Sequence, residues 1–113
     1  MEVTKLNNFF GAAIEEIDLA NLTDENVDDI KQLWLTHKVL VLRNQVLTLE
    51  EHINFSRRFG DLEVHPFGNI HPEHQEVLVL ETGGETGKQS YSATDWHSDV
   101  TYREKPPMGS ILR

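Results

Sequence analysis

Thr94-Asp95-Trp96-His97-Ser98-Asp99-Val100-Thr101-Tyr102 is the stretch on which the reading of this chain turns. Residues 96–102 read as a strand, broken by Pro106-Pro107. Side chains alternate across a strand, so His97 and Asp99 are expected on one face and Trp96 and Ser98 on the other. A neutral imidazole and a carboxylate aimed at one point are two donors for a divalent cation. A His-x-Asp pair is common, however, and taken alone it reads first as a surface hydrogen bond.

The surroundings shift that weighting. Upstream, residues 82–95 are rich in Gly, Ser and Thr, with Gly83-Gly84 and Gly87, and have only Tyr91 and Ala93 as apolar anchors. A long polar loop in a compact domain is usually a functional lid or a disordered segment. The pair thus follows a lid-like loop and opens a rigid element, which is where a site needs its ligands. Before the loop, Val77-Leu78-Val79-Leu80 reads as a buried strand, and residues 61–76, with two prolines, one glycine and three histidines, as an extended loop. After the pair, residues 109–113 read as the start of a further strand.

The first half alternates strand and helix. Residues 3–6 and 12–19 read as strands. Thr23 is an N-cap with acids in the turn after it, and Leu22 and Val27 stand at the positions of a hydrophobic staple. Val27, Ile30, Leu33 and Trp34 recur at helical spacing, which predicts a helix over 24–37. Val39-Leu40-Val41-Leu42 is an unbroken apolar run, expected to be a strand buried on both faces. Thr48-x-x-Glu51 is a capping box, and Leu49, Ile53, Phe55 and Phe59 give a second helix its apolar face, with Gly60 at its C-cap.

Composition excludes several classes. The 113 residues carry 10 Lys plus Arg against 19 Asp plus Glu, a net charge of −9 with histidine neutral. Such a balance argues against nucleic acid as a partner, which calls for clustered Lys and Arg. Residues 1–30 hold eight acids and one base, Lys5, and read as a solvated face. No apolar run reaches the roughly 18 residues a membrane helix needs. The first residues lack a basic flank and an apolar core, which predicts no signal peptide and a cytoplasmic protein. With no cysteine, disulfides, thiolate catalysis and Cys-ligated zinc are excluded.

The 94–102 stretch, followed by Pro106-Pro107 and Gly109-Ser110-Ile111-Leu112, resembles the taurine dioxygenase (TauD/TfdA) family of iron(II)- and 2-oxoglutarate-dependent oxygenases. The resemblance extends upstream through His37-Lys38-Val39-Leu40-Val41-Leu42-Arg43-Asn44-Gln45, Phe59-Gly60-Asp61-Leu62 and His65-Pro66, and covers nearly the whole chain. It implies an α+β chain that forms the N-terminal part of a single double-stranded β-helix (jelly-roll) domain with two flanking helices, the lid-like loop lying at about 82–95. It implies that His97 and Asp99 are two of three iron(II) ligands. It also implies that 2-oxoglutarate and oxygen are co-substrates, that His65 contacts the anionic group of a small substrate, and that Val100 lines the pocket wall. Oxidative decarboxylation of 2-oxoglutarate to succinate and CO2 is then coupled to hydroxylation. The donor chemistry by itself leaves manganese and zinc open beside iron.

Two positions depart from the taurine pattern. Gly68 stands where the taurine enzyme has a tyrosine, and Ala93 where it has an asparagine. Both weigh against taurine itself and leave another sulfonate, a sulfate ester, or an aryloxy or amino acid. The remaining histidines are weaker candidates: His37 at a helix end, His52 on the second helix, and His71 and His74 in a Pro-containing loop.

Fourteen residues follow Asp99 and none is histidine. The family's third ligand and its 2-oxoglutarate arginine lie further on, and such a domain runs to roughly 200–250 residues. The expectation is a C-terminally incomplete enzyme chain, inactive alone, whose assembly as a homo-oligomer stays open. The competing expectations are a non-catalytic truncated binding or regulatory piece and a small zinc hydrolase using His97, Asp99 and a loop histidine.

Overall fold

The computed structural model describes residues 1–66, 68–80 and 96–113. The chain divides into two compact units, Met1–Asp61 and Leu62–Arg113. No described helix is long and apolar enough to cross a membrane.

The first unit holds the regular structure: β1 (Glu2–Lys5), β2 (Ala12–Glu15), α1 (Asp24–His37), β3 (Leu40–Leu42) and α2 (Leu49–Arg57). The three strands form one mixed sheet in the order β1-β2-β3. β1 pairs antiparallel with β2, Val3 opposite Ile14, and β2 pairs parallel with β3, Ala13 opposite Val41. A parallel pair needs a crossover, and α1 supplies it. The core gathers on β2 and the helices: Ala12, Ala13, Ile14, Leu19, Val27, Ile30, Ile53 and Phe55 are buried. Phe59 adds edge-on ring contacts with Trp34 at 5.9 Å and Phe55 at 5.1 Å.

Both helices begin where their caps dictate. The Thr23 hydroxyl accepts from the Asn26 backbone N–H at 3.2 Å, and the Asn26 side chain accepts from the Thr23 N–H, closing a capping box. Thr48 and Glu51 close the same motif at α2. Thr23→Ala and Thr48→Ala are each expected to cost about 1 kcal/mol, read as a lower midpoint in urea unfolding. The Thr48 backbone N–H, and after it the Thr48 hydroxyl, hold the Glu51 carboxyl below its ordinary value of 4.5. Because the folded state binds that proton less readily, the stabilisation is complete above the unfolded value and is lost as pH falls through the depressed folded one. Glu51→Gln keeps an acceptor but cannot ionise, so it is expected to remove this contribution to acid unfolding. A pH titration followed by circular dichroism checks it.

α1 ends at a tight turn. Lys38 has φ 69° and ψ −36°, and the Val39 N–H donates to the His37 carbonyl at 2.8 Å, as in a γ-turn. The Gly11 and Ala12 N–H groups then donate to the His37 and Val39 carbonyls, fixing the start of β2 against the helix end. Gln45 joins two loops: its side chain accepts from the Leu19 N–H and donates to the Ile17 and Arg43 carbonyls.

The expectation of a fully buried strand over 39–42 is corrected. Only Leu40–Leu42 pair, and all three are half-buried, because β3 has a sheet partner on one side among the described residues. The strand ends of the second unit also differ from expectation. Residues 77–80 make an isolated antiparallel bridge, Ile70 to Leu78, flanked by bonds from His71 N–H to the Val77 carbonyl and from Val79 N–H to the Asn69 carbonyl. Residues 96–102 and 109–113 form no strand. A strand exists through its ladder, and the regular ladder bonds that define one are not formed along these segments.

Candidate metal centre

His97 and Asp99 come together without the expected strand. The chain bends at Asp99 and turns through Tyr102, with the Arg103 N–H donating to the Val100 carbonyl. His97 Nε2 lies 3.4 Å from Asp99 Oδ1, and both side chains are exposed. Ser110 Oγ donates to the other carboxylate oxygen, Asp99 Oδ2, at 3.4 Å, and Ser98 and Thr101 share a hydroxyl–hydroxyl bond of 2.7 Å.

The donor pair suits a divalent cation. With metal–ligand bonds of about 2.0–2.2 Å, two donor atoms 3.4 Å apart are close enough that both would reach one ion. Among the described residues no group of three or more His, Cys, Asp or Glu side chains forms a site. Among the described residues, His97 and Asp99 thus stand as a two-donor set.

Val100, directly after the pair, is 7% exposed and has φ 51°. A β-branched residue in the left-handed region is strained, at about 1–3 kcal/mol. Such strain persists only where the surroundings fix it, and here it re-aims the chain immediately behind the carboxylate. Trp96 and Tyr102 are exposed on either side.

His65 is half-buried in the irregular stretch that leads into the Asn69–Val79 pairing. Close behind it, Gly68 has φ 109°, and a Cβ built there would stand 2.7 Å from Leu78 Cδ1. Gly68→Ala is thus both conformationally strained and crowded. It is expected to destabilise by more than about 1 kcal/mol, measurable as a lower thermal midpoint. Ala93 and the lid-like loop at 82–95 lie outside the described residues.

Two residues without a sequence signal join this region. Glu63 and Arg103 form an ion pair, each side chain about one-third exposed. They are 40 positions apart, a separation that no periodicity marks. His71 and His74 do face one another, with ring centroids 5.3 Å apart, but the Glu73 N–H donates to His71 Nδ1. A nitrogen that accepts a backbone proton is not offering that lone pair to a metal, which agrees with reading the segment as a loop.

The profile of the Taurine catabolism dioxygenase TauD, TfdA family matches residues 2–113. The chain is 31% identical over 113 residues to an (S)-phenoxypropionate/alpha-ketoglutarate-dioxygenase from Sphingobium herbicidovorans, covering 98% of this chain and 39% of that protein. It is 30% identical over 115 residues to an alpha-ketoglutarate-dependent sulfate ester dioxygenase from Pseudomonas putida, covering all of this chain and 36% of that one. A crystal structure of a taurine dioxygenase from Burkholderia xenovorans superimposes with a TM-score of 0.61 at 32% identity, over 66% of this chain and 27% of that one. The chain thus spans less than half the length of the curated relatives it matches.

Proposed function

Because the chain belongs to the Taurine catabolism dioxygenase TauD, TfdA family, we propose that the whole protein carrying it is an iron(II)- and 2-oxoglutarate-dependent dioxygenase. It hydroxylates a small anionic substrate of the sulfonate, sulfate ester or aryloxy acid class. The observation that carries this reading is the convergence of His97 Nε2 and Asp99 Oδ1 at 3.4 Å inside a chain matched by the family from residue 2 to residue 113. The names of the two relatives, a phenoxypropionate and a sulfate ester dioxygenase, support the substrate class.

In this reading the domain is a double-stranded β-helix to which residues 1–113 contribute the three-stranded sheet, the two helices and the first ligand loop. His97 gives the metal an imidazole lone pair, and Asp99 gives a negative charge that partly neutralises it, with Ser110 orienting the carboxylate through its second oxygen. The chemistry supplied there with metal and 2-oxoglutarate bound is oxygen-dependent hydroxylation coupled to formation of succinate and CO2. His65 donates a ring N–H to the substrate's anionic group. Val100 contributes an apolar wall beside the carboxylate.

A succinate-release assay of the whole protein against sulfonates, sulfate esters and aryloxy acids tests this. Substrate-stimulated succinate with at least one class is the expected result. A protein that binds iron(II) yet releases no succinate with any of them would refute the reading.

A further inference from the structure

The segments that carry His65 and the His97–Asp99 pair are irregular, so their separation is not set by a strand or a helix. Among the described residues, a side-chain ion pair crosses from one to the other. Glu63 lies two residues before His65, Arg103 lies four residues after Asp99, and their carboxylate and guanidinium meet as an ion pair. The Arg103 N–H also closes the turn on the Val100 carbonyl, so the guanidinium projects from the same turn that bends the chain behind Asp99. On the other side, the residues that follow His65 are held by the Val79 N–H bond to the Asn69 carbonyl and the His71 N–H bond to the Val77 carbonyl.

We propose that Glu63 and Arg103 are a positioning pair that sets the distance between the substrate-binding segment at His65 and the metal-binding turn at His97 and Asp99. The inference rests on the function proposed above, which gives those two segments their roles. An ion pair this exposed contributes little to global stability. Its consequence lies in geometry, since displacement of a binding group by about 1 Å can cost a hundredfold in productive alignment. A guanidinium suits this use because its planar fork fixes direction as well as charge.

Neither residue is among the groups assigned above to metal or substrate, so loss of the pair has a distinct signature. In the whole protein, Glu63→Gln and Arg103→Gln are expected to raise KM for the organic substrate about fivefold or more while changing kcat less than about twofold. Exchanging the charges, Glu63→Arg with Arg103→Glu, is expected to recover most of the lost affinity. Hydrogen exchange supplies a readout independent of turnover: Glu63→Gln is expected to accelerate amide exchange over 97–103, the remote segment. Unchanged KM in both single variants, or no recovery in the exchanged pair, would overturn the positioning role. So would an exchange profile over 97–103 equal to wild type. Failure of the proposed function looks different, because wild-type protein would then release no succinate while the exchange experiment still reported whether the two segments are tied.

Discussion

In the whole protein, His97→Ala and Asp99→Ala are each expected to lower iron-dependent succinate production by more than about a hundredfold, since changes to groups merely supporting a ligand already cost 10–100-fold. The thermal midpoint is expected to move little. Both side chains are exposed and neither contributes to a packed core, so removing one leaves no cavity and no buried unpaired group. Asp99→Asn is the sharper variant. It keeps the size and most of the hydrogen-bonding capacity towards Ser110 but removes the charge, and it is expected to be nearly as inactive as the alanine form. Ser110→Ala is expected to have the smaller effect of a group that only orients the carboxylate. Steady-state succinate assays beside thermal unfolding of each variant separate loss of chemistry from loss of fold.

The largest effect on stability is expected from Ile14→Ala. Ile14 is fully buried at the centre of β2, the strand that β1 and β3 flank on either side. Truncation removes three carbons from water-excluded packing and leaves a cavity that a paired strand cannot close by shifting. Substitutions of this kind cost about 2–5 kcal/mol, a large share of the roughly 5–15 kcal/mol by which domains are stable. Ile30→Ala, equally enclosed on α1, is expected to fall in the same range. Urea unfolding measures both, and Ile14→Val, expected at about 0.5–1.5 kcal/mol, is the control that isolates cavity size.

What the sequence made legible follows the range of the interactions involved. The bounds of α1 were readable because Thr23, the acids after it and the 3.6-residue apolar period all act within a few positions. The Thr48–Glu51 box was readable for the same reason. Asn26 was not foreseen as the reciprocal half of the Thr23 cap, because Glu or Gln is the usual residue there. The Val39–Leu42 run identified a strand but not its place, since a strand's burial depends on neighbours that its own residues do not specify. Residues 96–102 show the same limit more strongly. Their pattern fits a strand, yet pairing requires a partner, and the described chain turns at Val100 instead. The convergence of His97 and Asp99 survived that error because closeness at i and i+2 can be reached by a pleat or by a turn. Nothing local could have announced the Glu63–Arg103 pair across 40 positions or the crowding by Leu78 that a side chain at position 68 would meet. Those are products of tertiary approach.

The central claim is that His97 and Asp99 hold the metal of a dioxygenase. The most direct measurement is the stoichiometry of iron(II) bound under anaerobic conditions by the whole protein and by its His97→Ala/Asp99→Ala double variant. The account predicts one iron per wild-type chain and essentially none for the variant, with both proteins folded. Equal iron in the two proteins would contradict it.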